Sequence, residues 1–354
     1  RDRKLRNMQI IKDYSPGLVF CTFILFICYL IDSYLKSQNI LLSLAFISLI
    51  FGITLNKFYL RNTTLKKFTE FSLKKLLRLG IALLGISLSL NQLMMFGYMS
   101  FFLIILNIIL IFLIIYIFGN YFNLSKNLSY LIGMGTAICG VTAIIATSSI
   151  INPKKNEISY AVSIVTIFGL ITVLTYPYIS ELLFKNDDIL AGIFLGASIH
   201  DTAQVSAAGM IYDETFDSEN ALNSAMATKL LRNSFLILLI PLLTLKFIKE
   251  TKIDFKTNFI KFLPMFVVGF IVFSIFRTLG DLNFLNTQYE IMWIESISII
   301  KFISKILILY GMLSLGLQTN LNQVFTLGYK PLIVGFIACI SVGLLTIFYL
   351  KILF

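Results

Sequence analysis

Residues 193–207 read Ile193-Phe-Leu-Gly196-Ala-Ser198-Ile199-His200-Asp201-Thr202-Ala-Gln204-Val-Ser-Ala207, and they set the chain's only histidine beside an aspartate inside an apolar stretch. A charge near the centre of a bilayer costs about 2.5–3.5 kcal/mol on the mildest scale, so such a pair is kept where it faces a polar path. The plain alternative is a structural pair that caps a helix. A second stretch, Ile132-Gly-Met-Gly135-Thr136-Ala-Ile138-Cys139-Gly140-Val-Thr142-Ala-Ile-Ile-Ala146, matches the first at four positions and exchanges small or apolar residues at several others. Two small-residue helices packed closely in a bundle would leave a similar trace. If 132–146 and 193–207 are instead an inverted pair, the single span 157–184 between them forces both to be re-entrant or broken in mid-membrane. The two segments are then expected to meet at the midplane, interrupted near Gly140 and Asp201.

Composition places these segments in a membrane. With 58% hydrophobic and 13% charged residues over 354 positions, 33 of them Phe, the chain has too little polar surface to cover a soluble globule. Its mean hydropathy is +0.88. Apolar runs long enough to span the hydrocarbon as helices fall at 17–35, 39–56, 76–95, 98–119, 157–184, 220–246, 260–279, 296–317 and 331–354. The runs at 128–150 and 188–212 are richer in Gly, Ala, Ser and Thr. The expected fold is an all-α polytopic membrane protein of about 9–11 transmembrane segments. With no Gly/Ser linker or Pro-rich tract, 1–354 reads as one transmembrane transporter domain.

The net charge of +11 does not signal nucleic acid, because lysine and arginine cluster at Arg1–Lys12, Lys57–Lys75 and Lys246–Lys261 between apolar runs. Such clusters mark cytoplasmic loops. Residues 211–219 carry Asp213, Glu214, Asp217 and Glu219 without a base, which fits the outside. Re-entrant 128–150 and 188–212 put Lys154 and Lys155 inside, giving nine full spans and two hairpins; eleven full spans are the other count. Cys21, Cys28, Cys139 and Cys339 lie in apolar segments without paired spacing, so neither a disulfide framework nor a zinc site is expected, and no cofactor motif is read.

A second repeat pairs Gly80–Tyr98 with Gly311–Tyr329 at eight positions of nineteen. Each copy reads as the end of one span, an Asn-Gln turn (Asn91-Gln92, Asn322-Gln323) and the start of the next. The first turn falls outside and the second inside, the inverted arrangement of secondary transporters.

Glycines at 133, 135, 140, 192, 196 and 209 can break a helix at membrane depth, which is tolerated only where protein or water satisfies the backbone. A broken helix exposes N–H groups at its N-terminus, an anion site. Thr136, Cys139, Gly140, Thr142, Ser198, Thr202 and Gln204 are the candidate substrate-binding groups around it. Lys229 and Arg232, three apart on one face, complete that set. Their anionic company would be Asp201, a substrate, or each in turn, or a purely structural ion pair. His200 and Asp201 are the candidate coupling residues, since histidine changes charge near physiological pH. Lys301 and Lys305 read as snorkelling. No nucleophile stands at a recognisable spacing from His200, and no catalytic motif appears, so the chain is not expected to be an enzyme.

Gly135-Thr-Ala-Ile-Cys-Gly140, Gly196-Ala-Ser-Ile-His-Asp-Thr-Ala-Gln-Val-Ser-Ala-Ala-Gly209, Lys229-Leu-Leu-Arg232 and Leu315-Gly-Leu-Gln-Thr319 resemble the YeiH-type sulfate exporter family over most of the chain. The chain departs from that pattern at Ala137, where serine is common, and at Val141-Thr142, where Ala-Ser is common. The resemblance implies a multi-pass secondary transporter of the bacterial or archaeal cytoplasmic membrane. Its expected partners are the lipid bilayer, a small oxyanion such as sulfate or a sulfonate, and a coupling proton or sodium ion. Transporters of this symmetry are often homodimers. The alternative function is a cation/proton antiporter with Asp201 as carrier.

Overall fold

A computed structural model describes residues 2–38, 42–185, 187–247, 265–319 and 328–354. Every regular element among them is helical: α1 Asp2–Ser37, α2 Leu44–Thr54, α3 Asn56–Arg61, α4 Lys66–Phe71, α5 Leu77–Leu84, α6 Leu90–Tyr121, α7 Lys126–Ala137 and α8 Val141–Ile151. There follow α9 Lys155–Leu183, α10 Asp188–Ser198, α11 Thr202–Phe216, α12 Ala221–Ser234, α13 Leu236–Phe247, α14 Met265–Phe284, α15 Glu290–Gln318 and α16 Tyr329–Leu353. Helices are what a bilayer demands, because each pairs its own backbone polar groups.

Seven helical stretches among the described residues are long and apolar enough to cross a membrane: Asp13–Ser37, Leu90–Tyr121, Lys155–Leu183, Ala221–Leu243, Met265–Phe284, Glu290–Gln318 and Tyr329–Leu353. Three shorter apolar helices, Leu44–Thr54, Val141–Ile151 and Asp188–Ser198, fall in stretches expected as spans or broken spans. The helix in 39–56 covers only Leu44–Thr54, whose 11 residues reach about 16 Å. The runs 76–95 and 98–119 do not part at Gly97, which lies inside the 32-residue α6. A Cβ at Gly97 would meet only Leu231, at 4.0 Å, so this glycine bends nothing. The chain breaks earlier, at Leu88, which is extended (φ −121°, ψ 130°). Ser274 Oγ donates to the Leu88 carbonyl at 2.8 Å, and Leu90 N–H donates to Thr278 Oγ1 at 2.8 Å, so α14 satisfies the broken backbone. The turn expected at Asn91-Gln92 is therefore the first turn of α6. Its counterpart Asn322-Gln323 in the 311–329 repeat lies outside the described residues, as does most of the basic 246–261 stretch.

The chain forms two compact units. The first comprises 1–90, 213–217 and 268–320. In it α2 crosses α15 with almost no spacing, because a Cβ at Gly52 would lie 2.5 Å from the Leu313 carbonyl oxygen and one at Gly316 2.3 Å from that of Leu49. Asn56 Nδ2 donates to the Leu317 carbonyl at 2.7 Å near the end of α15, where an intrahelical partner is lacking. Lys305 does not merely snorkel: it pairs with Glu214 at 2.7 Å.

The second unit comprises 91–212, 218–267 and 321–354. Its core joins Ile104, Ile111, Leu131, Ile132, Ile144, Ile164, Val334 and Ala338 from α6, α7, α8, α9 and α16. Within this unit 128–150 and 188–212 are both interrupted, α7 from α8 at 138–140 and α10 from α11 at 199–201. After the first break the chain turns sharply enough to bring Ile144 Cδ1 within 2.8 Å of where a Gly135 Cβ would be. Nine residues of unbroken helix would separate the two by about 13 Å.

Candidate functional site

The two breaks meet. Gly140 has φ +65°, a conformation that L side chains avoid, and a Cβ there would stand 2.9 Å from Asp201 Oδ2 and 3.3 Å from Asp201 Cα. Of the six glycines able to break a helix, Gly140 is the one that lies at a break; Gly133 and Gly135 lie within α7, Gly192 and Gly196 within α10, and Gly209 within α11. Those in α10 act by close packing. Cβ atoms at Gly192 and Gly196 would sit 2.3 Å from the carbonyl oxygens of Ala221 and Ala225, so α10 lies directly on α12. That contact sets the α12 cations beneath the breaks.

Lys229 and Arg232 are fully buried, at 0% exposure, and end on main-chain carbonyls. Lys229 Nζ donates to Ile138 O at 2.7 Å, to Ile199 O at 2.9 Å and to His200 O. These are all the donors an ammonium has. Arg232 Nε donates to Ala137 O at 2.7 Å, Nη1 to Ala197 O at 2.7 Å and Ile199 O at 3.2 Å, and Nη2 to Thr136 O. The acceptors are carbonyls that the ends of α7 and α10 leave without intrahelical partners. Both cations also face the negative ends of two helix dipoles.

The opposite ends are treated differently. Asp201 Oδ1 accepts from Ala203 N–H at 2.9 Å, and Gln204 Oε1 accepts from Asp201 N–H at 3.3 Å, a reciprocal N-cap at the start of α11. Gln204 Nε2 also donates to Thr166 O at 3.1 Å, in a position available because Gly169 has no side chain. Asn233, which lies outside the expected set, donates to Thr202 Oγ1 at 3.1 Å. At the start of α8, Gly140 provides no side-chain cap. Thr142 in its first turn is exposed and Asp201 is half-buried, whereas Thr136, Cys139, Ser198, His200, Thr202 and Gln204 are buried. His200 Nδ1 and Ser198 Oγ are buried without a hydrogen-bond partner among the described residues. The breaks thus bring together the expected residues of 136–140 and 198–204 with both cations, while Thr142 stays at the accessible edge.

The motif Asp201-x-x-Gln204 is the sequence signal for the α11 cap. Nothing in the sequence marks the carbonyls that receive Lys229 and Arg232, since every residue has one.

Residues 16–335 match the family described as Conserved hypothetical protein 698. A UPF0324 membrane protein of Clostridium tetani (strain Massachusetts / E88) is 30% identical over 349 residues, covering 95% of this chain and 96% of the relative. One from Fusobacterium nucleatum subsp. nucleatum is 31% identical over 293 residues, covering 80% and 83%. One from Streptococcus agalactiae serotype V is 29% identical over 328 residues, covering 92% and 94%. No solved structure matches the chain. Seven candidate spans and relatives named as membrane proteins agree on a multi-pass bacterial membrane protein. The chain belongs to the Conserved hypothetical protein 698 family, whose relatives named here are UPF0324 membrane proteins.

Proposed function

We propose that the protein is a secondary active transporter for a small oxyanion, sulfate- or sulfonate-like, bound where the two broken helices meet. The observation that carries this reading is the charge of the crossing. Two cations at 0% exposure share it with one carboxylate, Asp201. The half-helix dipoles, two positive and two negative ends, offset each other. A surplus positive charge remains in a low-dielectric surround, which an incoming anion completes. Lys229 and Arg232 act in this reading as a fixed field rather than as fingers on the ligand, because their hydrogen bonds already go to the backbone. The ligand's donors are then the uncapped N-terminus of α8 and the hydroxyls of Thr142 and Thr202. His200 takes up the coupling proton as the anion arrives.

A cation/proton antiporter is the second reading, favoured by one observation: Asp201 is half-buried while both cations are fully buried, so the carboxylate is the more accessible of the charged groups at the crossing. Thermal-shift screening of sulfate, sulfite, sulfonates and bicarbonate against purified protein, followed by uptake into proteoliposomes under an imposed pH gradient, separates the two. The anion reading expects stabilisation by at least one oxyanion and its gradient-driven uptake. It also expects Asp201→Asn, which keeps a good helix cap, to retain binding. Sodium–proton exchange that Asp201→Asn abolishes, with no anion effect, would overturn it.

A further inference from the structure

Away from the crossing, the second unit has a cleft of about 600 Å³ at the turn from α6 into α7, lined by Phe112, Ile115 and Phe247 on its apolar side and by Asn120, Lys126 and Ser129 on its polar side. Tyr130 packs edge-on against Phe247, with ring centroids 5.5 Å apart, and helps wall the apolar part. The chain closes the top of this cleft tightly. Leu124 N–H donates to Gly119 O at 2.9 Å across Asn123, whose φ is +55°, so the end of α6 is satisfied by its own backbone. Gly119 leaves room for Ser129, whose Oγ would otherwise lie 2.8 Å from a Cβ.

Lys126 is exposed and has no ion-pair partner among the described residues. The nearby carboxylate of Glu157 is held by Ser125 Oγ and, at 2.8 Å, by Lys154 N–H. Lys126 also stands in the first turn of α7, where the positive end of the helix dipole adds to its charge. A cation and a helix N-terminus at the mouth of an apolar cleft suit a ligand with a negative head and a hydrocarbon body. The chain after Phe247 carries Lys249, Lys252, Lys256 and Lys261, so by the positive-inside rule the cleft opens at the cytoplasmic leaflet, where anionic phospholipids gather.

We propose that this cleft binds one anionic phospholipid of the cytoplasmic leaflet, its phosphate held at Lys126, Asn120 and Ser129 and an acyl chain lying along Phe112, Ile115 and Phe247. The site is independent of the transport reading. Native mass spectrometry of the detergent-purified full chain, mixed with equal amounts of phosphatidylglycerol and phosphatidylcholine of matched chains, tests it. Wild type should retain phosphatidylglycerol in preference. Lys126→Gln should weaken that preference about fivefold, the weight of one lysine beside an anionic surface. Asn120→Trp, at an exposed position on the mouth, should lower retention of both lipids while the protein stays monodisperse. Equal retention of the two lipids by wild type would overturn the proposal, as would an unchanged preference in Lys126→Gln. Displacement of phosphatidylglycerol by inorganic phosphate would overturn it too, by assigning the mouth to a soluble anion.

Discussion

Replacing Lys229 with methionine keeps an unbranched apolar stem one atom shorter and removes the charge and the three donors. The carbonyls of Ile138, Ile199 and His200 then lose that partner within a buried crossing; among the described residues only Ile199 O keeps another, the 3.2 Å bond from Arg232. A buried acceptor left unsatisfied costs about 1–3 kcal/mol. Polar couplings measured within membranes sit toward the low end of such ranges, so a loss of about 2 kcal/mol follows from summing the low values for the two carbonyls left without a partner, Ile138 O and His200 O. For a chain of this size that lowers the melting midpoint by roughly 4 °C, at about 2 °C per kcal/mol. The assay is thermal unfolding in detergent, read by the soluble fraction of a fluorescent-protein fusion. Lys330→Met, at an exposed position, is the matched control and should melt as wild type does. A Lys229→Met midpoint within about 1 °C of wild type would refute the reasoning, because the two half-helix ends would then be held without this side chain.

Gly140→Ala forces an L side chain to φ +65° and presses its Cβ to 2.9 Å from Asp201 Oδ2, so about 1–3 kcal/mol should be lost in the same melt; a wild-type midpoint contradicts the strained turn. His200→Gln, in the anion reading, should keep ligand-induced stabilisation and flatten the pH dependence of uptake. An unchanged pH profile removes His200 as the coupling site and leaves Asp201 or a sodium ion.

The breaks were legible because their cause is local. Gly140 and the capping pair Asp201 and Gln204 lie at the interruptions, and the resemblance of 132–146 to 193–207 pairs them. The importance of Lys229 and Arg232 was legible from cost alone, since cations in an apolar span need partners. The identity of those partners was hidden, because main-chain carbonyls carry no residue-type signal. The break at Leu88 was hidden for a related reason. Ser274 and Thr278, which hold it, are more than 180 residues away in sequence, while Gly97 offers the stronger local signal and sits in open space within α6. A glycine in an apolar segment permits either a turn or a close approach of two helices. Gly192 and Gly196 are of the second kind, and the small residues of α12 opposite them are what distinguish the cases.

Two helices interrupted in a bilayer expose backbone groups that water cannot satisfy. Here the remedy is asymmetric. Seven hydrogen bonds from two side chains of one helix, α12, close the C-terminal ends of α7 and α10. The N-terminal ends of α8 and α11 share a single half-buried carboxylate, and α8 has no side-chain cap. The sealed ends fix geometry, because moving them would orphan several carbonyls at once. The N-terminal ends are positive, less completely satisfied and less buried, and on the anion reading those properties suit a place where the ligand is bound and released. On the anion reading, removing a cation should therefore register first as lost stability, and changing Asp201 should register first in transport rather than in stability. A result in the reverse order would place the ion at the sealed ends instead.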